Sequence, residues 1–452
     1  MPGATLSPWT MSYFATALVC LVAGLALMIS GFGYPSAPID DPASLAVVHL
    51  ISIGWLGLLF AGSLLQFVPV IASRQLQSPR LALPALLLTM IGLLLLLGGF
   101  LGLADILPFW TWALPAGGIL LMLALAGLCW MVLATLAAAR PYSLPAEFVA
   151  LGCVPLIGTA VVGMLFTLPL SGLTDEPHLV SLVLTAGPAH AYLGLFGWMT
   201  VTAIGVSYRL LTMFLLSPER TRGTSRTIGW LMAAALVAVG CGIVLDGAGS
   251  PADWTLPLAL AMAGLAVLLY ALDIRGIVRE RKRKAVELNV VASLLAIAML
   301  IICFALFTVS IVVGNAAEMV MPIAYLFTFG WLTGLGLGQL YKIVAFMTWL
   351  EFYGPVLGRA VVPRVQDLVN ERRAAAWFSL YFAATAAATA GLFFDMPEMV
   401  RGAALAQLAA VCALAFEFIQ ARRLAMVPAA ARLPSGITAR RLILPSFNGR
   451  SR

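Results

Sequence analysis

The chain has 452 residues, 62% of them hydrophobic and 10% charged, with a formal charge of +7. A soluble domain carries roughly 25% charged residues, so this composition cannot cover a water-exposed surface and excludes an ordinary soluble enzyme. The 26 Lys and Arg sit in short loops and tails, a placement that reports membrane topology and anionic headgroups, and no nucleic-acid partner is expected.

About 20 apolar residues cross the hydrocarbon core. That criterion predicts spans near 11–33, 44–72, 80–104, 108–138, 146–171, 187–216, 227–246, 253–274, 288–314, 319–349, 374–394 and 399–421. The first run lacks a basic n-region and a clear cleavage site, so it is expected to be a retained helix and not a signal peptide. Residues 1–424 therefore read as a single all-α integral membrane domain of about twelve transmembrane helices, and 425–452 as a basic cytoplasmic tail.

The loops alternate in sign along the chain. Those with Asp40/Asp41, Asp105, Asp175/Glu176, Asp246/Asp253 and Glu318 hold no Lys or Arg, and Arg401 is the only basic residue in a predicted outer loop. The intervening loops carry Arg74/Arg80, Arg140, Arg220/Arg222/Arg226, the run 275–284 and Arg359/Arg364/Arg372/Arg373. The positive-inside rule then puts both termini in the cytoplasm. The run RGIVRERKRK (275–284) is expected to be a solvated helix extension at the headgroups. The segment 361–373 is either a short interfacial helix or a plain loop. All six cysteines, Cys20, Cys129, Cys153, Cys241, Cys303 and Cys412, fall in apolar runs without a Cys-x-x-Cys pair, the pattern of buried, inert thiols. Glu417, just before Arg422 and Arg423, is expected to form an ion pair at headgroup level.

Spans two, six and ten share an internal repeat. They read HLISIGWLGLLFAGSLLQ from His49, YLGLFGWMTVTAIGVSYR from Tyr192 and YLFTFGWLTGLGLGQLYK from Tyr325. Aligning Gly54-Trp55, Gly197-Trp198 and Gly330-Trp331 also aligns Gly62 with Gly205 and Gly338, and Gln66 with Arg209 and Lys342. Four spans separate successive copies, so every copy keeps the same orientation and the repeats are parallel, unlike inverted transporter repeats. The predicted architecture is three parallel four-helix repeats, about 11–140, 146–274 and 287–422, with pseudo-threefold symmetry about the membrane normal. The glycines suit either close helix packing or close approach to a flat ligand. His49, His190, Tyr192 and Tyr325 lie towards the outer face, with Gln66, Arg209 and Lys342 roughly 25 Å deeper at an inner mouth.

The stretch HAYLGLFGWMTVTAIGVSYRLL (190–211) resembles the heme-ligating helix of subunit I in the heme–copper oxidase superfamily, nearest the C-type oxidases and nitric oxide reductases. His190, Gly194, Gly197, Trp198, Gly205 and Tyr208 stand where that pattern places them. The NnrS-like heme and copper membrane proteins share the general plan. The resemblance implies a multi-pass protein of the bacterial inner membrane with heme ligated by one or both of His49 and His190. It also implies a redox protein or oxidase subunits as partners. The departures are specific. The family's second histidine is replaced by Tyr192, the tenth span has Tyr325 and no histidine, and the seventh span lacks the copper-binding histidines. With three histidines in the chain, copper is not expected and oxygen reduction of the family kind is not supported. The third, His178, reads as a surface residue.

The functional expectation is a heme-binding, oxidase-like membrane protein without a copper centre, acting in electron transfer, nitric oxide or redox response, or oxidase assembly. Its cofactor-binding candidates are His49, His190, Tyr192 and Tyr325, with His49 and His190 as metal ligands. The alternative is a permease passing a small solute or metal through the central bundle, with Gln66, Arg209 and Lys342 at the inner mouth. Sequence patterns for catalysis, such as a phosphate loop, a nucleophile elbow or a zinc-binding His-Glu-x-x-His, are not found.

Overall fold

A computed structural model describes residues 9–219, 223–359, 361–433 and 443. The described chain is all-helical, and twelve of its helices are long and apolar enough to cross a membrane. Helices suit that environment because they satisfy every backbone group internally. In chain order they are α1 (Thr10–Ser30), α2 (Pro42–Ala72), α3 (Pro79–Leu103), α4 (Ala113–Ala137), α5 (Leu144–Leu170) and α6 (Gly187–Leu215). The others are α7 (Gly223–Gly247), α8 (Thr255–Arg279), α9 (Leu288–Val313), α10 (Ala316–Val356), α11 (Glu371–Phe393) and α12 (Pro397–Arg422). Each predicted span has its counterpart. Arg220, Arg222 and the tail arginines beyond Arg432 lie outside the described residues.

The three helices that carry the Gly-Trp copies are the most internal. Buried shares are 67% for α2, 78% for α6 and 67% for α10, against half or less in the others. Each also widens into a π-helix over that copy, at Leu50–Gly57, Tyr192–Thr200 and Leu326–Thr333. A π-turn bonds i to i+5, is rare, and is frequently found at functional sites. The tryptophans inside these segments, Trp55, Trp198 and Trp331, are buried.

Contacts divide the chain into two compact units. The first holds α2–α8, in which α3 pairs with α4, α7 pairs with α8, and α5 packs on both α4 and α6. The second holds α9–α12 together with α1, which packs against α12. The repeat glycines act at helix contacts. A Cβ on Gly205 would sit 2.3 Å from Phe148 Cβ on α5, and one on Gly338 would sit 2.9 Å from Ala292 Cβ on α9.

Two loop segments are sharper than the sequence suggests. A helix, Pro177–Thr185, precedes α6, with Glu176 Oε2 accepting from the Leu179 amide at 2.9 Å. His178 on this helix is exposed, as expected. The segment 361–370 is a loop with one 3-10 turn, Val365–Leu368, and 371–373 open α11. Its Leu368 is buried with Phe352, Tyr353, Leu424 and Val427. The basic run 275–284 extends α8 as far as Arg279.

Candidate histidine site

The unit formed by α2–α8 brings His49 and His190 together. Asp41 caps the start of α2, its Oδ1 accepting from the Ala43 amide at 2.8 Å, with Pro42 in the first turn, so the sequence fixes where this helix begins. Two turns later stands His49, next to the π-segment of α2. His190 stands near the start of α6, two residues before the π-segment there. The two rings are 6.4 Å apart, centroid to centroid, with 27° between their planes.

The hydrogen bonds fix both tautomers. His49 Nδ1 lies 2.7 Å from the Leu45 carbonyl oxygen. A carbonyl only accepts, so Nδ1 carries the proton and Nε2 keeps its lone pair. The Thr159 hydroxyl donates to the His190 carbonyl at 3.1 Å, and its oxygen lies 3.3 Å from His190 Nδ1. With the hydroxyl proton so used, Nδ1–H of His190 is the donor and Nε2 again presents a lone pair. Neither Nε2 has a protein partner among the described residues. Both imidazoles are half-buried. Phe100 packs on His49 at 5.0 Å and Phe166 on His190 at 5.4 Å. Gly163 makes room for the second ring, since a Cβ there would lie 2.8 Å from His190 Cε1.

This donor set suits one kind of metal. Among the described residues, no three His, Cys, Asp or Glu side chains gather as a metal site. Two protein ligands suffice only where the other coordination positions are filled from elsewhere, as a porphyrin fills four around its iron. A carbonyl or hydroxyl on the far ring nitrogen is the usual support for a ligating histidine. Tyr192 has a buried hydroxyl with no hydrogen-bond partner. Its ring lies 5.1 Å from Phe196. The donor set suits a heme, which His49 and His190 would hold through Nε2.

Tyr325 belongs to the other unit and is differently placed. Its hydroxyl donates to Gln407 Oε1 at 2.5 Å, and Gln407 Nε2 donates to Thr385 at 2.8 Å. Tyr34 lies 6.5 Å from its ring and donates to the Met321 carbonyl at 3.1 Å. Burial, with Tyr325 nearby, pushes the Tyr34 phenol above its ordinary value. This neighbourhood is closed by its own hydrogen bonds.

The three deeper polar residues part company. Gln66 is half-buried on α2. Arg209 pairs with Glu219 and lines a pocket of about 300 Å³ in the first unit. At that pocket lies Asp273 of α8, a residue the sequence reading passed over. It is buried and accepts from Tyr208 at 2.9 Å, Thr224 at 2.5 Å and Ser225 at 2.8 Å. A carboxylate inside an apolar span was the available signal. Lys342 pairs inside its unit with Glu287 at 2.6 Å. Glu417 forms an ion pair as expected, though its partner is Arg373 and it is only 2% exposed. No protein-family model matches this chain, and no curated protein matches it.

Proposed function

We propose that this is a heme-binding, oxidase-like membrane protein without a copper centre, whose role is electron transfer. The observation that carries this reading is the His49–His190 pair: two imidazoles 6.4 Å apart, each held by Nδ1 with Nε2 unpartnered. His49 and His190 would hold the heme, and the chemistry it would supply there is one-electron transfer. The chain's own contributions are plain. The Leu45 carbonyl and Thr159 orient the rings, Gly163 admits the second ring, and Phe100 and Phe166 keep water away. A redox protein or oxidase subunits are the partners this reading expects.

The same reading takes the chain as three parallel four-helix repeats within one domain. The π-segments at the three Gly-Trp copies support it. It places both termini on the cytoplasmic side of a bacterial inner membrane, on the loop charges. The alternative, a permease for a small solute or metal, draws on the pocket lined by Arg209 and Asp273.

The test is the absorption spectrum of the detergent-purified protein, oxidised and dithionite-reduced, for wild type, His49→Ala and His190→Ala. A Soret band lost in either variant supports the reading. A colourless wild type expressed with ample heme supply removes it, and uptake assays on Arg209→Ala then test the permease.

A further inference from the structure

The unit of α1 and α9–α12 contains a second polar cluster, independent of the histidine site. It surrounds a cavity of about 20 Å³ lined by Glu287, Asn289, Tyr341, Lys342, Gln366 and Glu371. A cavity above roughly 10–15 Å³ holds one water. Two of the lining side chains are more than nine-tenths buried and lack any hydrogen-bond partner: the Tyr341 hydroxyl and Asn289 Nδ2. An unpaired buried polar group costs about 1–3 kcal/mol, so two of them around one void point to an occupant.

The lining chemistry selects that occupant. Asn289 Nδ2 only donates, so the occupant must accept. The carboxylates of Glu287 and Glu371 only accept, so it must also donate. An anion is opposed by the two carboxylates. A metal cation is opposed by the amide donor and by Lys342. Water meets every requirement.

The charges around it leave one carboxylate over. Glu287 is paired with Lys342 at 2.6 Å and accepts from Gln366 at 3.1 Å. Glu417, on α12, is paired with Arg373 through both guanidinium edges. Asp367, in the neighbouring loop, is paired with Arg364. Glu371 accepts from the Leu288 amide at 3.2 Å and has no cationic partner among the described residues. It is exposed at the loop end of its helix, and it lines the same cavity as the Tyr341 phenol.

We propose that this cavity binds a single water that links the Glu371 carboxylate to the Tyr341 phenol, making a proton-binding site at the start of α9 and α11. The balance is simple. Glu371 takes a proton from solution and becomes a carboxylic acid, and the water reorients its donors between Glu371 and Tyr341. No electron moves and no bond to carbon changes. Lys342 and Arg373 stay paired throughout.

Infrared difference spectroscopy of the full-length protein, stepped between neutral and acid pH, tests this. A tyrosine C–O band should move on acidification in wild type and vanish from the difference spectrum in Tyr341→Phe, which assigns it. The same movement should be lost in Glu371→Gln. It should also be lost in Asn289→Leu, which dries the cavity while keeping both endpoints. Should Asn289→Leu fail to fold, Glu371→Gln decides alone. A tyrosine band that ignores pH in wild type, or still moves in Glu371→Gln or in a folded Asn289→Leu, overturns the proposal.

Discussion

Replacing Gly205 by alanine sets two effects of opposite sign against each other. Alanine gains about 1 kcal/mol of helix propensity over glycine. The added Cβ, however, would sit 2.3 Å from Phe148 Cβ and 3.3 Å from the Pro145 carbonyl oxygen, while ordinary contacts begin at 3.4 Å. The atom it meets first is joined directly to the backbone, so rotamer changes cannot relieve it. Helices α5 and α6 would have to part by about 1 Å, and overpacking of a close-packed interface costs typically 1–3 kcal/mol. The overlap is deep, so the upper half of that range applies and Gly205→Ala is expected to destabilise by about 1–2 kcal/mol. Gly98 on α3 is the control, because a Cβ there meets nothing within 4 Å. Gly98→Ala should stabilise by up to about 1 kcal/mol. Apparent melting temperatures in one detergent, followed by a thiol-reactive dye, rank the pair. Gly205→Ala melting as high as Gly98→Ala would refute the packing role given to the repeat glycines.

Other outcomes follow from particular contacts. Arg373→Ala leaves Glu417, 2% exposed, without its cation and should lower stability in unfolding assays, whereas the Arg373→Met/Glu417→Gln double variant should recover most of the loss. Gly163→Ala forces a carbon to 2.8 Å from His190 Cε1, so it should lower heme content per protein while Gly158→Ala, with its nearest neighbour at 3.5 Å, should not. The Arg364 backbone amide, then its guanidinium, holds the Asp367 carboxyl below its ordinary value. A depressed carboxyl stabilises the folded state above the ordinary value and loses that effect as pH falls. The stability gap between wild type and Asp367→Asn should therefore be present at neutral pH and fade below about pH 4.

The twelve spans were legible because apolar runs of fixed minimum length are a strong signal and the bilayer leaves no alternative fold. Pairing of His49 with His190 was legible as a candidate, since both stand near the same end of repeat helices. Its support was not. Thr159, Gly163, Phe100 and Phe166 come from helices that no sequence spacing ties to the histidines. The π-segments were also hidden, because a widened turn keeps the composition of the α-helix around it. The departure of α1 from the helices that follow it, to pack on α12, depends on tertiary contacts and leaves no periodic trace. Lys342 and Arg209 look alike in the repeat alignment, yet Lys342 pairs with Glu287 just before α9 and Arg209 with Glu219 just after α6. The difference lies in Glu287 and Glu219, which belong to loops outside the repeated motif.

We propose that His49 and His190 jointly hold one iron. Electron paramagnetic resonance of the oxidised protein at low temperature reads this directly. A low-spin ferric signal of the bis-imidazole type is expected in wild type, converted to high-spin or lost in both His49→Ala and His190→Ala. A heme signal that survives either substitution unchanged, or a heme-replete preparation with no low-spin iron, would contradict it.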